Sequence, residues 1–175
     1  MLEDLMTDNM RQAVGDTIAA NPNVMLDQVS LRLGVPEGVV AALLDEEMCT
    51  ILPATTFEQV WQTMTRWEQI TFIAVTPGAI VEVKGRLPKG KSGHGFFNIG
   101  EENNPLAGHI KADDIWITCL VSKPFMGLES HSVRFYNQKG ELMLAIYVGR
   151  EGKELIPSVR RGFMALKHLA NQEAA

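Results

Sequence analysis

Two imidazoles and four cations crowd one stretch of this 175-residue chain: Lys84, Arg86, Lys89, Lys91, His94 and His109. No acid falls between Val83 and Gly100, and the aromatics Phe96 and Phe97 stand two and three residues past His94. Imidazole is a common metal ligand near neutral pH. Ammonium and guanidinium groups pair with carboxylates, and aromatic rings offer apolar walls. Gathered on one sheet edge, such groups suit a flat, apolar, dianionic ligand with a metal at its centre.

The elements that must hold these side chains follow from periodicity. Residues 79–87 read as a strand, 88–95 as a cationic Pro/Gly turn and 96–100 as a second strand, with a short return ending in Gly108-His109-Ile110. Further strands are predicted near 48–52, 70–75, 114–122, 129–137 and 141–148, and short turns such as Gln138-Lys139-Gly140 imply antiparallel pairing. Strands 116–121 and 142–148 are almost wholly apolar, so both of their faces are expected to be covered. In 129–137, His131, Val133 and Phe135 point one way and Ser132, Arg134 and Tyr136 the other.

Helical spacing marks the first twenty residues, then about 25–33 and 36–47, with Gly34 and Pro36 at the breaks. Two more helices are predicted, from Thr55-Thr56 through Trp67 and from about Leu155 to Ala170. The fold class expected is therefore α+β: an antiparallel β-sheet flanked by helices, with a small helix-turn-helix-like lobe over residues 1–50 and an α+β domain over 51–175. The two are expected to form one continuous structural unit.

Composition is that of an ordinary globular protein, with 46% hydrophobic and 21% charged residues. The net charge of −5 is uneven: residues 1–50 hold two cations against nine acids, and the rest is mildly basic. No apolar run approaches the ~18 residues a membrane span needs. The acidic opening Met-Leu-Glu-Asp-Leu lacks the basic start of a secretory signal, so a cytoplasmic location is expected. Cys49 and Cys119 form no metal or redox spacing and read as buried, reduced small hydrophobes.

Several motifs fail a physical test. Gly85 to Ser92 satisfies G-x-x-x-x-G-K-[ST], but that loop grips phosphate only where a helix starts at the Lys-Ser, and two glycines and a strand follow here. The third N-terminal helix contains no Lys or Arg and carries Glu37, Asp45, Glu46 and Glu47, so docking on nucleic acid would be repulsive. Zinc-type ligand spacing is absent, no serine sits in a nucleophile elbow, and no convincing enzyme emerges. His168, in the last turn of the terminal helix, reads as structural.

Five separated blocks carry a resemblance: Val81 to Pro88, His94-Gly95-Phe96-Phe97-Asn98, Gly108-His109-Ile110-Lys111, Lys123-Pro124-Phe125-Met126-Gly127 and Val133 to Asn137. In order and content they resemble the intracellular haem-utilisation family HutX/ChuX, over positions 50 to 170. The resemblance implies a HemS/ChuX-like fold, akin to half of the larger HemS-type haem proteins, and a cytoplasmic protein that stores or carries imported haem. It also implies delivery of haem to a haem-degrading enzyme, and a homodimer that rebuilds the two-half arrangement. His109 matches the histidine of the Gly-His-Ile-Lys block and is the first choice of iron ligand, with His94 second. Some members have a histidine where Val75 stands, or a tyrosine at Phe96 or Phe97; these departures leave the sixth iron position to water, His94 or a partner chain. Haem is expected to need an axial imidazole, apolar walls and cations for its propionates. Phe96, Phe97, Phe125 and Met126 are candidate walls. Arg134, Lys84, Arg86, Lys89 and Lys91 are candidate propionate partners, with Tyr136 adding a hydrogen bond. The alternative is a haem-degrading or porphyrin-handling enzyme on the same scaffold.

Overall fold

Alternation along the strands divides the molecule into two cores on opposite faces of one sheet. A computed structural model describes residues 1–173; residues 174 and 175, the end of the expected 51–175 domain, lie outside the described residues. The N-terminal helices are α1 (Asp8–Ala20), α2 (Leu26–Leu33) and α3 (Glu37–Ala42). Thr7 caps α1 by accepting a hydrogen bond from the Met10 amide at 3.2 Å, and Gly34, at φ +68°, ends α2 in the left-handed conformation. Next come β1 (Cys49–Pro53), α4 (Phe57–Met64), β2 (Ile70–Thr76) and β3 (Ala79–Gly85). The cationic segment supplies β4 (Gly90–Gly93), β5 (Phe96–Ile99) and β6 (Gly108–Ile110). Then follow β7 (Ile115–Ser122), β8 (His131–Asn137), β9 (Leu142–Val148), the small hairpin β10 (Arg150–Glu151) and β11 (Glu154–Leu155), and α5 (Pro157–Glu173).

The main sheet has six strands in the order β1-β7-β8-β9-β2-β3, every neighbouring pair antiparallel. On one face, Phe72, Leu120, Val133, Phe135, Leu144 and Ile146 pack under α4 and α5. The second sheet, β4-β5-β6, joins this core through Phe97, Ile99 and Ile110. On the other face, Cys49, Cys119, Val121 and Tyr136 meet Val14, Ile18, Leu26, Val29, Val39 and Val40 of the N-terminal helices. The helical lobe thus shares its core with the sheet.

The helices cover only the β1-β7-β8 half of that second face. Over β9, β2 and β3 the face is open, so β9 is not covered on both sides as its apolar run suggested. Its residues Ala145 and Tyr147 instead line a cleft. The third N-terminal helix is not a reading head either, because Gly38, Val39, Val40, Ala41 and Ala42 are all buried. A Cβ at Gly38 would meet the Tyr136 ring at 3.0 Å, so glycine lets α3 approach the sheet closely, and the Gly38 amide donates to the Gly140 carbonyl at 2.8 Å.

Both cysteines are buried and free. A hydrogen bond with Cys49, together with burial, pushes the Cys119 thiol well above its usual range, so it is a poor nucleophile. His131 is buried, stacked on Phe163 with ring centroids 4.9 Å apart. Its Nε2 lies 2.7 Å from Glu129 Oε1 and its Nδ1 lies 2.9 Å from Ser122 Oγ.

Two expectations follow. Gly140 sits at φ +74° with Pro36 Cβ 2.7 Å from where a Cβ would stand. Gly140→Ala should therefore lower unfolding free energy by about 1–3 kcal/mol, read from the urea midpoint. Burial lowers the His131 pKa despite Glu129, so the native state resists a proton that the unfolded chain accepts below about 6.5. Stability should rise with pH through that region and fall as pH drops below it. Glu129, held low by its hydrogen bond to His131 and by Arg160, adds loss of the same sign at still lower pH. His131→Gln should flatten the dependence of the urea midpoint between about pH 7 and pH 5.5; an unchanged slope would contradict this assignment.

Candidate functional site

The histidine-bearing hairpin is built as the sequence suggested, with one addition: Gly90–Gly93 is a strand paired with Phe96–Ile99. The phosphate-loop pattern therefore ends in β-structure and has no helix N-terminus to aim at an anion. His94 and Gly95, at φ +54° and +80°, form the two-residue turn of this hairpin. Positive φ at both central residues is what such a turn requires, and histidine is among the non-glycine residues that tolerate it. Trp61 Nε1 donates to the Pro88 carbonyl and Gln62 Nε2 to that of Gly90, both at 2.9 Å, fixing the segment on α4.

His109 lies opposite Asn98 on β5 and is exposed. Its Nδ1 is 2.6 Å from Asn98 Oδ1. Asn98 Nδ2 donates to the carbonyls of Lys91, Gly93 and Phe96, so the orientation of the amide is settled by three acceptors and its oxygen must accept from His109. Nδ1 thus carries the proton and Nε2 presents its lone pair outward, the tautomer a metal-ligating histidine uses. The Phe96 ring stands edge-on, 6.0 Å away.

A cleft lies on the opposite face of the main sheet. It encloses about 770 Å³ over the open half of the sheet. Register places Ser132, Tyr147, Thr71 and Lys84 in one row across its floor, and Arg134, Ala145, Ile73 and Glu82 in the next. Val75 and Ile80 extend the floor, and Val24, Met25 and Leu26 with Pro124 and Phe125 form its walls. The wall is clipped in place: Lys123 Nζ donates to the Pro22 carbonyl at 2.7 Å, and the Gly127 amide to Asn23 Oδ1 at 2.8 Å. Burial, with the nearby Arg134, pulls the Lys123 pKa down.

Arg134 organises the floor. Its Nη1 donates to Glu37 Oε1 at 2.7 Å, its Nε to Ser132 Oγ at 3.1 Å and its Nη2 to the Tyr147 hydroxyl. Burial opposes the charge, but the oxygens of Tyr136, Tyr147 and Glu37 outweigh it and hold the guanidinium firmly cationic.

The sequence-derived candidates therefore separate. Lys84 and Arg134 line the cleft; His94, His109, Phe96 and Lys91 lie on the hairpin across the sheet. Two candidates are withdrawn into the fold. Phe97 is fully buried, edge-on to Phe57 and Trp61, and is no exposed wall. Tyr136 is fully buried and spends its hydroxyl on Glu37 at 2.9 Å. Arg86 reaches the Thr65 carbonyl at 3.5 Å, away from the cleft. Met126, 78% exposed at a tight turn, is not among the residues lining it. The cleft is not among the features the sequence motifs mark. Its signal was the alternation of Glu82 and Lys84 with Val81 and Val83, which marks one face of β3 as open.

The chain is similar to known proteins over most of its length. The pattern of the family described as haem utilisation ChuX/HutX matches residues 50–166. The intracellular heme transport protein HutX of Vibrio cholerae is 33% identical over 166 residues, covering 94% of this chain and 86% of its own. The crystal structure of the heme-binding protein ChuX superposes with a TM-score of 0.83 at 28% identity, over 90% of this chain and 99% of that one. Holo-PhuS, a heme-binding protein of Pseudomonas aeruginosa, shares the fold at a TM-score of 0.74 and 17% identity, matching 91% of this chain to 46% of its own. No helix among the described residues is long and apolar enough to cross a membrane. The chain belongs to the haem utilisation ChuX/HutX family.

Proposed function

We propose that this protein binds haem as exchangeable cargo in the cytoplasm and carries it to a haem-degrading enzyme, without degrading it. The observation that carries this is the cleft of about 770 Å³, in which Ile73, Val75, Ile80, Ala145 and Phe125 give apolar surface among polar side chains, with Lys84 and Lys123 on its flanks. That volume falls in the range of small-molecule sites. Burying a flat tetrapyrrole against Ile73, Val75, Ala145 and Phe125 provides the driving force, and the ammonium groups meet the propionates. The transport named for the Vibrio cholerae relative and the heme binding named for ChuX support the same assignment.

His109 has a separate place in this scheme. Its exposed Nε2 suits it to meet iron at the surface, while cargo is handed on. Within one protomer it lies across the sheet from the cleft, so one haem does not touch both. Pairing of two copies belongs to the proposal as well. It is supported by the match of nearly this whole chain to less than half of PhuS, a chain of doubled length.

Titration with ferric haem should give a saturable Soret shift. Lys84→Ala should weaken binding by about two- to fivefold, as expected for an exposed ion pair. His109→Ala should slow transfer of bound haem to apomyoglobin in stopped flow. Absence of a Soret shift, or biliverdin appearing on addition of a reductant, would contradict the proposal.

A further inference from the structure

The cleft holds no imidazole among its described lining residues. Its oxygen, nitrogen and sulfur donors are carboxylates, hydroxyls, amides, amines, guanidinium groups, the Met25 thioether and the Tyr147 phenol. Guanidinium and amide nitrogens do not ligate iron. Lys123 is tied to the Pro22 carbonyl, and Lys84 is exposed. Thioether sulfur is a soft ligand, poorly matched to ferric iron. Glu37 Oε1 already accepts from both Arg134 and Tyr136, and Asp27 and Glu82 are exposed, the latter on the edge strand β3.

Tyr147 differs from all of these. It sits in mid-floor on β9, flanked in register by Ser132 on one side and Thr71 on the other. Its hydroxyl oxygen accepts a hydrogen bond from Arg134 Nη2, and the guanidinium carbon lies 5.6 Å from its ring centroid. Arg134 is in turn locked by Glu37 and Ser132. A phenol ligates ferric iron as phenolate, so charge builds on that oxygen when the bond forms. A cationic donor fixed on the oxygen stabilises this charge, and it does so with no rearrangement. Tyrosine is an established type of haem ligand. The neighbouring Ala145, next to Arg134 in register, leaves room on the floor for a flat ring.

We propose that Tyr147 Oη is the protein ligand to the iron of haem bound in the cleft, with Arg134 as its positioning residue. The Fe–O bond forms as the O–H bond breaks; the proton leaves to the buffer, the iron stays ferric and no electron is transferred. The inference rests on the haem-binding proposal and adds to it the identity of the ligand.

The test uses the full chain with ferric haem and, separately, metal-free protoporphyrin IX. The wild type should show a high-spin ferric spectrum with a phenolate-to-iron charge-transfer band, and phenolate modes in resonance Raman. Tyr147→Phe should abolish both signatures. The ratio of ferric haem affinity to protoporphyrin affinity should fall by at least about tenfold, since only haem has iron to lose. Tyr147→His should restore the ratio with an imidazole-type spectrum in place of the phenolate one. Arg134→Lys, which keeps a cation for Glu37, should shift the charge-transfer band while protoporphyrin still binds. The inference is overturned if Tyr147→Phe keeps the wild-type haem spectrum and affinity ratio, or if the phenolate signature survives that change but is lost in His109→Ala. A wild type that binds neither haem nor protoporphyrin overturns the haem proposal itself, and the ligand assignment with it.

Discussion

The ion pair between Arg134 on β8 and Glu37 at the start of α3 joins the N-terminal helices to the sheet. Both side chains are 13% exposed and 2.7 Å apart. Taking such a pair out of water gains little net stability, but leaving one partner unpaired costs about 3–5 kcal/mol. The pair therefore specifies where α3 must sit more than it strengthens the fold. Glycine at position 38 and the buried hydroxyl of Tyr136 serve the same docking, one by allowing close approach and the other by adding a donor to the same carboxylate oxygen. Placed this way, the helices cover half of one sheet face and stop.

That half-coverage makes the cleft. A fully covered sheet has no room for a ligand, and a bare one has no walls. Here the loop between α1 and α2 is clipped by Lys123 and Asn23 to the segment after β7, so the boundary of the helical lobe becomes one side of the cleft. The other face of β8 and β9 is packed under α4 and α5. The floor is therefore rigid, and rigid support keeps a shallow row of side chains in register for a ligand. Arg134 serves both roles, holding the helical lobe and fixing the Tyr147 hydroxyl.

Much of the fold was legible in the sequence because it is locally encoded. Helical spacing, Gly34, Pro36 and the Gln138-Lys139-Gly140 turn announced the elements, and the five family blocks announced the sheet domain. The main misreading was β9, whose residues 142–148 are apolar enough to suggest burial on both faces. Ala145 and Tyr147 are apolar or amphipathic yet line an open cleft, and a ligand surface of that chemistry looks like core in one dimension. The Arg134–Glu37 contact spans 97 positions, and nothing local to either residue reveals it. His109 is exposed, but no sequence signal told which side of the sheet it occupies. Phe97 and Tyr136 were drawn inward by packing: the hairpin needs an apolar anchor in the main core, and α3 needs a buried partner.

The central claim is that haem lies on the open half of the main sheet. Hydrogen–deuterium exchange with and without one equivalent of ferric haem locates the cargo directly. Slowed exchange in 71–75, 80–84 and 145–148, together with the wall at 22–26, is the result expected. Protection confined to the hairpin at 94–98 and 108–110, with the sheet floor unchanged, would contradict it.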